Sequence, residues 1–163
     1  MKRKQVLAVP IPKIFILFCA LFGFGLSQAQ ESNEAALKTS LANKNYVFKA
    51  QSAWPLRGTV IQLNAGFDMK VMPDSINAYL PYFGRAFVAG YNSSGGINFT
   101  STKFEHKVKD KTKGGWEVEI KPADTQEASQ LIFSVSTNGY ATLQVLSNNR
   151  QAISFYGTVE KNK

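Results

Sequence analysis

One side chain in this sequence, the imidazole of His106, has an ordinary pKa near neutrality, and the groups that would make it catalytic are scarce. A nucleophile–histidine–acid relay would have to recruit it. Its neighbours in alternation are Phe104 and Val108, so it is expected on the inner face of a strand, packed and held by a single hydrogen bond. Zinc or copper would need several nitrogen or sulfur ligands, and the one cysteine, Cys19, lies in an N-terminal apolar run, so neither a metal nor another cofactor is expected. Glu117 and Glu119 share a strand face, but lysines oppose them, which reads as a solvated ion-paired face rather than a calcium site or an acid/base pair. A hydrolase working through two carboxylates would have to bring together Asp68, Asp74 or Glu105. No catalytic residue is expected. Asn92-Ser93-Ser94-Gly95-Gly96 lacks the lysine and the strand-to-helix setting of a phosphate cradle and reads as a connector.

The strongest binding candidate is an aromatic group with one cation inside it: Tyr79, Tyr82, Phe83, Phe87 and Tyr91 around Arg85. Flat rings beside a guanidinium suit sugars, peptides or an acidic group, through stacking and forked hydrogen bonds. The plainer reading is a plugged barrel mouth, with Arg85 paired to a nearby acid or carbonyl.

These residues must be carried by strands. Leu131, Phe133 and Val135 alternate with polar residues, and the alternation resumes at Ala141, Leu143 and Val145, and again at Ile153, Phe155, Gly157 and Val159. A two-residue Asn138-Gly139 loop would set Phe133 opposite Gln144. A three-residue loop closed by Gly139 pairs Phe133 with Leu143 and Leu131 with Val145. A one-residue slip flips every side chain, so the face to be buried selects the second register. The same argument pairs Val145 with Ile153 and Leu143 with Phe155 across a loop at 148–150. It also gives a hairpin around Asn64-Ala65-Gly66, with Leu63 opposite Phe67 and Ile61 opposite Met69. Tyr46 to Ala50 makes a first strand, Ser75 to Leu80 a short one and Arg85 to Tyr91 another. Phe104–Val108 and Trp116–Ile120 form a hairpin in which matching faces pairs Phe104 with Ile120 and His106 with Val118, lysines meeting glutamates outside. Glu31 to Asn43 is the one helix expected, short and weakly amphipathic, so it must dock on the domain or fray. The fold class is therefore all-β, an antiparallel, meander-rich sandwich or barrel of about eight to ten strands with a short N-terminal helix.

The first residues read as an address label. Met1-Lys2-Arg3-Lys4 is basic, Ile14 to Leu26 is apolar, and Ser27-Gln28-Ala29 offers small residues for cleavage after Ala29. Residues 1–29 are thus expected to be a signal peptide, 30–44 a helix or linker, and 45–163 one β domain. Lipid attachment at Cys19 is the alternative, but bulky Phe18 stands where a small residue is needed. Cleavage removes Lys2, Arg3, Lys4 and Lys13 from the 19 bases and leaves 15 against 11 acids, a net charge near +4 that gives no reason to expect nucleic acid. Without Cys19 the exported chain has no thiol, and its core must rest on hydrophobic burial.

Leu80-Pro81-Tyr82-Phe83-Gly84-Arg85-Ala86-Phe87, followed by Tyr91 and Gly95-Gly96-Ile97-Asn98-Phe99, resembles the family labelled domain of unknown function 4251, exported or lipid-anchored proteins of Bacteroidetes. Asn138-Gly139-Tyr140-Ala141 and Ile153-Ser154-Phe155-Tyr156-Gly157 extend the resemblance, from about Tyr46 to Val159. Many members look lipid-anchored, and the weak cysteine context at Cys19 departs from them. The resemblance implies an exported β domain and brings no activity, cofactor or site residue with it. The expectation is a non-enzymatic cell-envelope module, periplasmic or extracellular, that binds an envelope component or small ligand and associates with a membrane or surface peripherally. The alternative is a hollow barrel carrying a hydrophobic ligand, with Met69, Leu143 and Phe155 lining its cavity.

Overall fold

The alternation that dominates the sequence becomes one ten-stranded antiparallel sheet in the computed structural model, which describes residues 25–87 and 95–162, with side chains from 33 onward. A helix, α1 (Gly25–Ala42), precedes strands β1 (Tyr46–Pro55), β2 (Ile61–Gln62), β3 (Asp68–Val71), β4 (Ile76–Pro81) and β5 (Gly96–Ser101). Then come β6 (Phe104–Asp110), β7 (Trp116–Pro122), β8 (Gln130–Val135), β9 (Tyr140–Leu146) and β10 (Ile153–Lys161). The sheet order is β5-β4-β3-β1-β10-β9-β8-β7-β6, with β2 beside β1. Consecutive strands neighbour one another and β1 pairs with β10, so an up-and-down meander curls into a nearly closed barrel. The seam lies between β5 and β6, which follow each other in the chain without pairing. The choice between sandwich and barrel thus falls to the barrel.

The C-terminal meander has the register its apolar faces require: Phe133 opposes Leu143, Leu131 opposes Val145, Ile153 opposes Val145 and Phe155 opposes Leu143. Gly139 takes the left-handed conformation (φ 86°) that closes the three-residue loop. Other expectations fail. Leu63 and Phe67 do not face each other across a hairpin. β2 and β3 both pair with β1, Ser52 opposite Gln62 and Phe48 opposite Met69, and Asn64-Ala65-Gly66 is an excursion between two stretches of one interrupted strand. The reason is β1 itself. Its ten residues present a long row of backbone groups that a local hairpin would have left unpaired on that side, and its bulge at Gln51 accommodates the excursion.

The β6–β7 hairpin keeps the expected faces but is displaced by two residues, with His106 opposite Ile120 and Phe104 opposite Pro122. This register sets Glu105 against Lys121, Lys107 against Glu119 and Lys109 against Glu117. The expected one would have put Glu105 opposite Glu119, and like charges directly opposed are unfavourable. The strand expected over Arg85 to Tyr91 can be followed only as far as Phe87. Its described part holds only a bridge from Ala86 to Arg150, and residues 88–91 fall outside the described residues.

The barrel is filled. Phe133 meets Phe48 (5.6 Å) and Tyr46 (6.0 Å) edge-on, the favoured arrangement for aromatic pairs. Met69, Leu143 and Phe155, the positions named for a carrier's cavity, have 0 % of their surface accessible, so no water-sized void touches them. The helix is already present at Gly25, ahead of the Glu31 start expected. It buries Leu37 and Leu41 with the core and ends where Lys44 adopts a left-handed φ of 53°. Residues 33–163 form one compact unit, so the end of α1 belongs with the β domain. The expected signal-peptide features up to Phe24, Cys19 included, lie outside the described residues.

Candidate functional site

The stretch from Leu80 to Phe87 gathers around an arginine, but that arginine is Arg150 and not Arg85. After β4, Arg85-Ala86-Phe87 runs antiparallel to the β9–β10 turn: Gln151 N donates to Arg85 O (3.0 Å) and Phe87 N to Asn149 O (2.8 Å). The Tyr82 hydroxyl bonds to the carbonyls of Arg85 (3.0 Å) and Gln151 (3.1 Å), and the Arg150 guanidinium lies over its ring at 4.8 Å. Burial holds the phenol pKa above its ordinary value, although Arg150 and the Gln151 backbone pull it down. Arg150 is 4 % exposed. It donates to the Gly96 carbonyl (2.9 Å) and forms an ion pair with Glu127. One guanidinium therefore ties together the β4–β5, β7–β8 and β9–β10 connections at one end of the barrel.

The expected aromatic group is only partly assembled. Tyr82 and Phe83 pack against the core, Arg85 is exposed, and Phe87 stands in solvent at 64 % exposure. Tyr79 points away from them, out of the sheet, and stacks on Phe67 at 5.6 Å with rings 18° apart. Tyr91 lies outside the described residues. Sequence reasoning missed Arg150 because a lone arginine in an Asn-Asn-Arg turn has no local partner to mark it. Glu127 is 23 residues away and Gly96 is 54.

His106 and Asp124 are engaged in structure. The Tyr46 hydroxyl lies 3.2 Å from His106 Nε2. Burial raises the Tyr46 pKa and keeps the phenol protonated. Burial first, and then the charge of Lys44, lowers His106 to about 4. The neutral imidazole and the protonated phenol thus share one uncharged hydrogen bond. Asp124 follows β7 and clamps the corner between β5 and β6. It accepts from the Ser101 hydroxyl, the Thr102 amide (2.9 Å) and hydroxyl (3.2 Å), and the Lys103 amide (3.1 Å). These bonds, Ser101 foremost, hold its pKa at about 2. Asp68 and Glu105 stand on the outer face six strands apart in the sheet order, and Asp74 accepts from Ser75 (2.9 Å) in the β3–β4 turn. Among the described residues no three His, Cys, Asp or Glu side chains are grouped as metal ligands, and no helix is long and apolar enough to cross a membrane.

A nearly closed antiparallel barrel with an apolar filling, tied at one end by a buried arginine, defines the class of domain. The chain belongs to the family described as Domain of unknown function (DUF4251), whose model matches residues 28–159. Among solved structures it is similar to a crystal structure of a DUF4251 family protein from Bacteroides eggerthii. That match has a TM-score of 0.57 and 13% identity over 81% of this chain and 91% of the other, a likeness of fold. No curated protein matches it.

Proposed function

We propose that this chain is a non-enzymatic β domain of the cell envelope, exported to the periplasm or beyond, which binds an envelope component through its outer surface. The observation that carries this reading is where the large aromatic side chains stand. The inside of the barrel is filled, while Trp54, Tyr79, Phe87, Tyr140 and Tyr156 remain exposed outside. Exposed aromatics in number favour a surface that is covered by something in use. The non-enzymatic part is supported by the engagement of His106 with Tyr46 and by the separation of Asp68, Asp74 and Glu105. Export is supported by the basic and apolar segments ahead of Ala29.

The test is fractionation of cells expressing the full chain, followed by co-sedimentation of the exported protein with sacculi, outer-membrane vesicles and capsular polysaccharide. Recovery outside the cytoplasm, starting at Gln30, and sedimentation with one of these fractions is the expected result. A cytoplasmic protein starting at Met1, or one that sediments with none of them, overturns the reading.

A further inference from the structure

On the outer face of the sheet, three exposed aromatic residues step diagonally across three neighbouring strands. Tyr140 on β9 is opposite Thr158 on β10, and Tyr156 on β10 is opposite Thr142 on β9 and Ser52 on β1. Trp54 on β1 is opposite Ser154 on β10. Each aromatic is therefore two residues out of register with the next, the diagonal relation in which long side chains reach one another. The Tyr140 and Tyr156 rings lie 6.0 Å apart, stacked and within 12° of parallel. The Trp54 indole N–H donates to the Ser52 hydroxyl (3.0 Å), which turns the indole toward the residue facing Tyr156. Exposure is 47 % for Tyr140, 38 % for Tyr156 and 53 % for Trp54.

The partners of these rings are the second observation. Every residue directly opposite one of the three carries a hydroxyl: Ser52, Thr142, Ser154 and Thr158. At the Tyr140 end, a shallow cleft of about 230 Å³ is lined by Lys111, Ser134, Ser136 and Thr142 as well as both tyrosines. The Lys111 ammonium donates to the Ser134 hydroxyl (2.8 Å) there. We infer that this strip is a glycan-binding site, an inference that rests on the binding role proposed above and names its ligand class. The C–H faces of pyranose rings pack flat on aromatic rings, and sugar hydroxyls both donate to and accept from serine and threonine. A protein partner is the weaker fit, because the centres of protein–protein interfaces are depleted in serine and lysine. The tyrosines and Trp54 bind neighbouring sugar units of one chain, and Lys111 receives an acidic or hydroxyl substituent at the cleft.

The test uses the exported protein in native affinity gels containing, in turn, mannan, xylan, β-glucan, chitosan oligomers and solubilised peptidoglycan. Retardation by at least one of these polysaccharides is expected. Tyr140→Ala with Tyr156→Ala should weaken it by roughly tenfold or more, as loss of two stacking surfaces requires. Tyr140→Thr with Tyr156→Thr, which keeps strand propensity, should weaken it equally with an unchanged melting curve, and Tyr156→Phe should retain it. Trp54 emission should shift on binding, with buried Trp116 as the silent control in Trp54→Phe. No retardation by any of the five, or retardation indifferent to the tyrosine pair, overturns the inference. Sedimentation with vesicles or an envelope protein in that case would leave the broader binding role standing, whereas failure to sediment with any envelope fraction removes both.

Discussion

At the residue scale, two arginines that look alike in sequence have opposite consequences. Arg85 is exposed, and Arg85→Ala should change stability by no more than about 0.5 kcal/mol. Arg150 is buried against Tyr82 and Glu127, so Arg150→Ala strands a carboxylate and unties three connections, at a cost of about 3–5 kcal/mol. Thermal melts of the two variants side by side check this, and equal melts would refute it. The pH dependence of stability separates two other residues. His106 has a folded pKa of about 4 against an ordinary 6.5, so the unfolded chain takes up the proton first. Its contribution is complete above pH 6.5 and is lost as the pH falls toward 4. Screening around a half-exposed ring leaves about 1–2 kcal/mol of this effect. Asp124 acts lower, its contribution disappearing between 3.8 and about 2. Urea midpoints against pH should lose the upper slope in His106→Gln and the lower one in Asp124→Asn.

At the element scale, β1 and β10 carry the closure of the barrel, and their approach depends on one glycine. Gly157 is inward-facing, opposite Ala50 and beside the β1 bulge. A Cβ there would collide with the Lys49 carbonyl, a backbone atom that cannot swing aside. Gly157→Ala should therefore cost about 2–4 kcal/mol, far more than the usual penalty for filling a strand position. A denaturant titration showing wild-type stability would mean that the two strands separate more easily than their pairing indicates. The C-terminal hairpins were legible in sequence because one burial face and one Gly139 turn fix a register locally. The β2–β3 segment was not, because both of its stretches pair with the preceding strand β1 rather than with each other, and alternation is silent about which strand completes a pair.

At the scale of the whole molecule, the interior is a packed core. Phe133 lies at its centre, against Tyr46 and Phe48. Native protein should give no fluorescence enhancement with an apolar dye, while Phe133→Ala should lose about 3–5 kcal/mol and open a cavity that the dye can enter. Strong dye binding by the unaltered protein would revive the hollow carrier. With the inside occupied, the binding proposed for this chain falls to the surface, where the three diagonal aromatics stand.

The sequence by itself determined the strand class, the inward face of His106 and the register of the last three strands, since period-two alternation and tight turns act over a few residues. It also marked Leu80–Phe87 as unusual. Only the tertiary structure decided that Arg150 rather than Arg85 meets Tyr82, that Tyr79 leaves that group for Phe67, and that Tyr140, Tyr156 and Trp54 line up. Those relations join residues 12 or more positions apart. They follow from the pairing of β1 with β10 and the curl of the sheet, which depend on the burial of the whole chain.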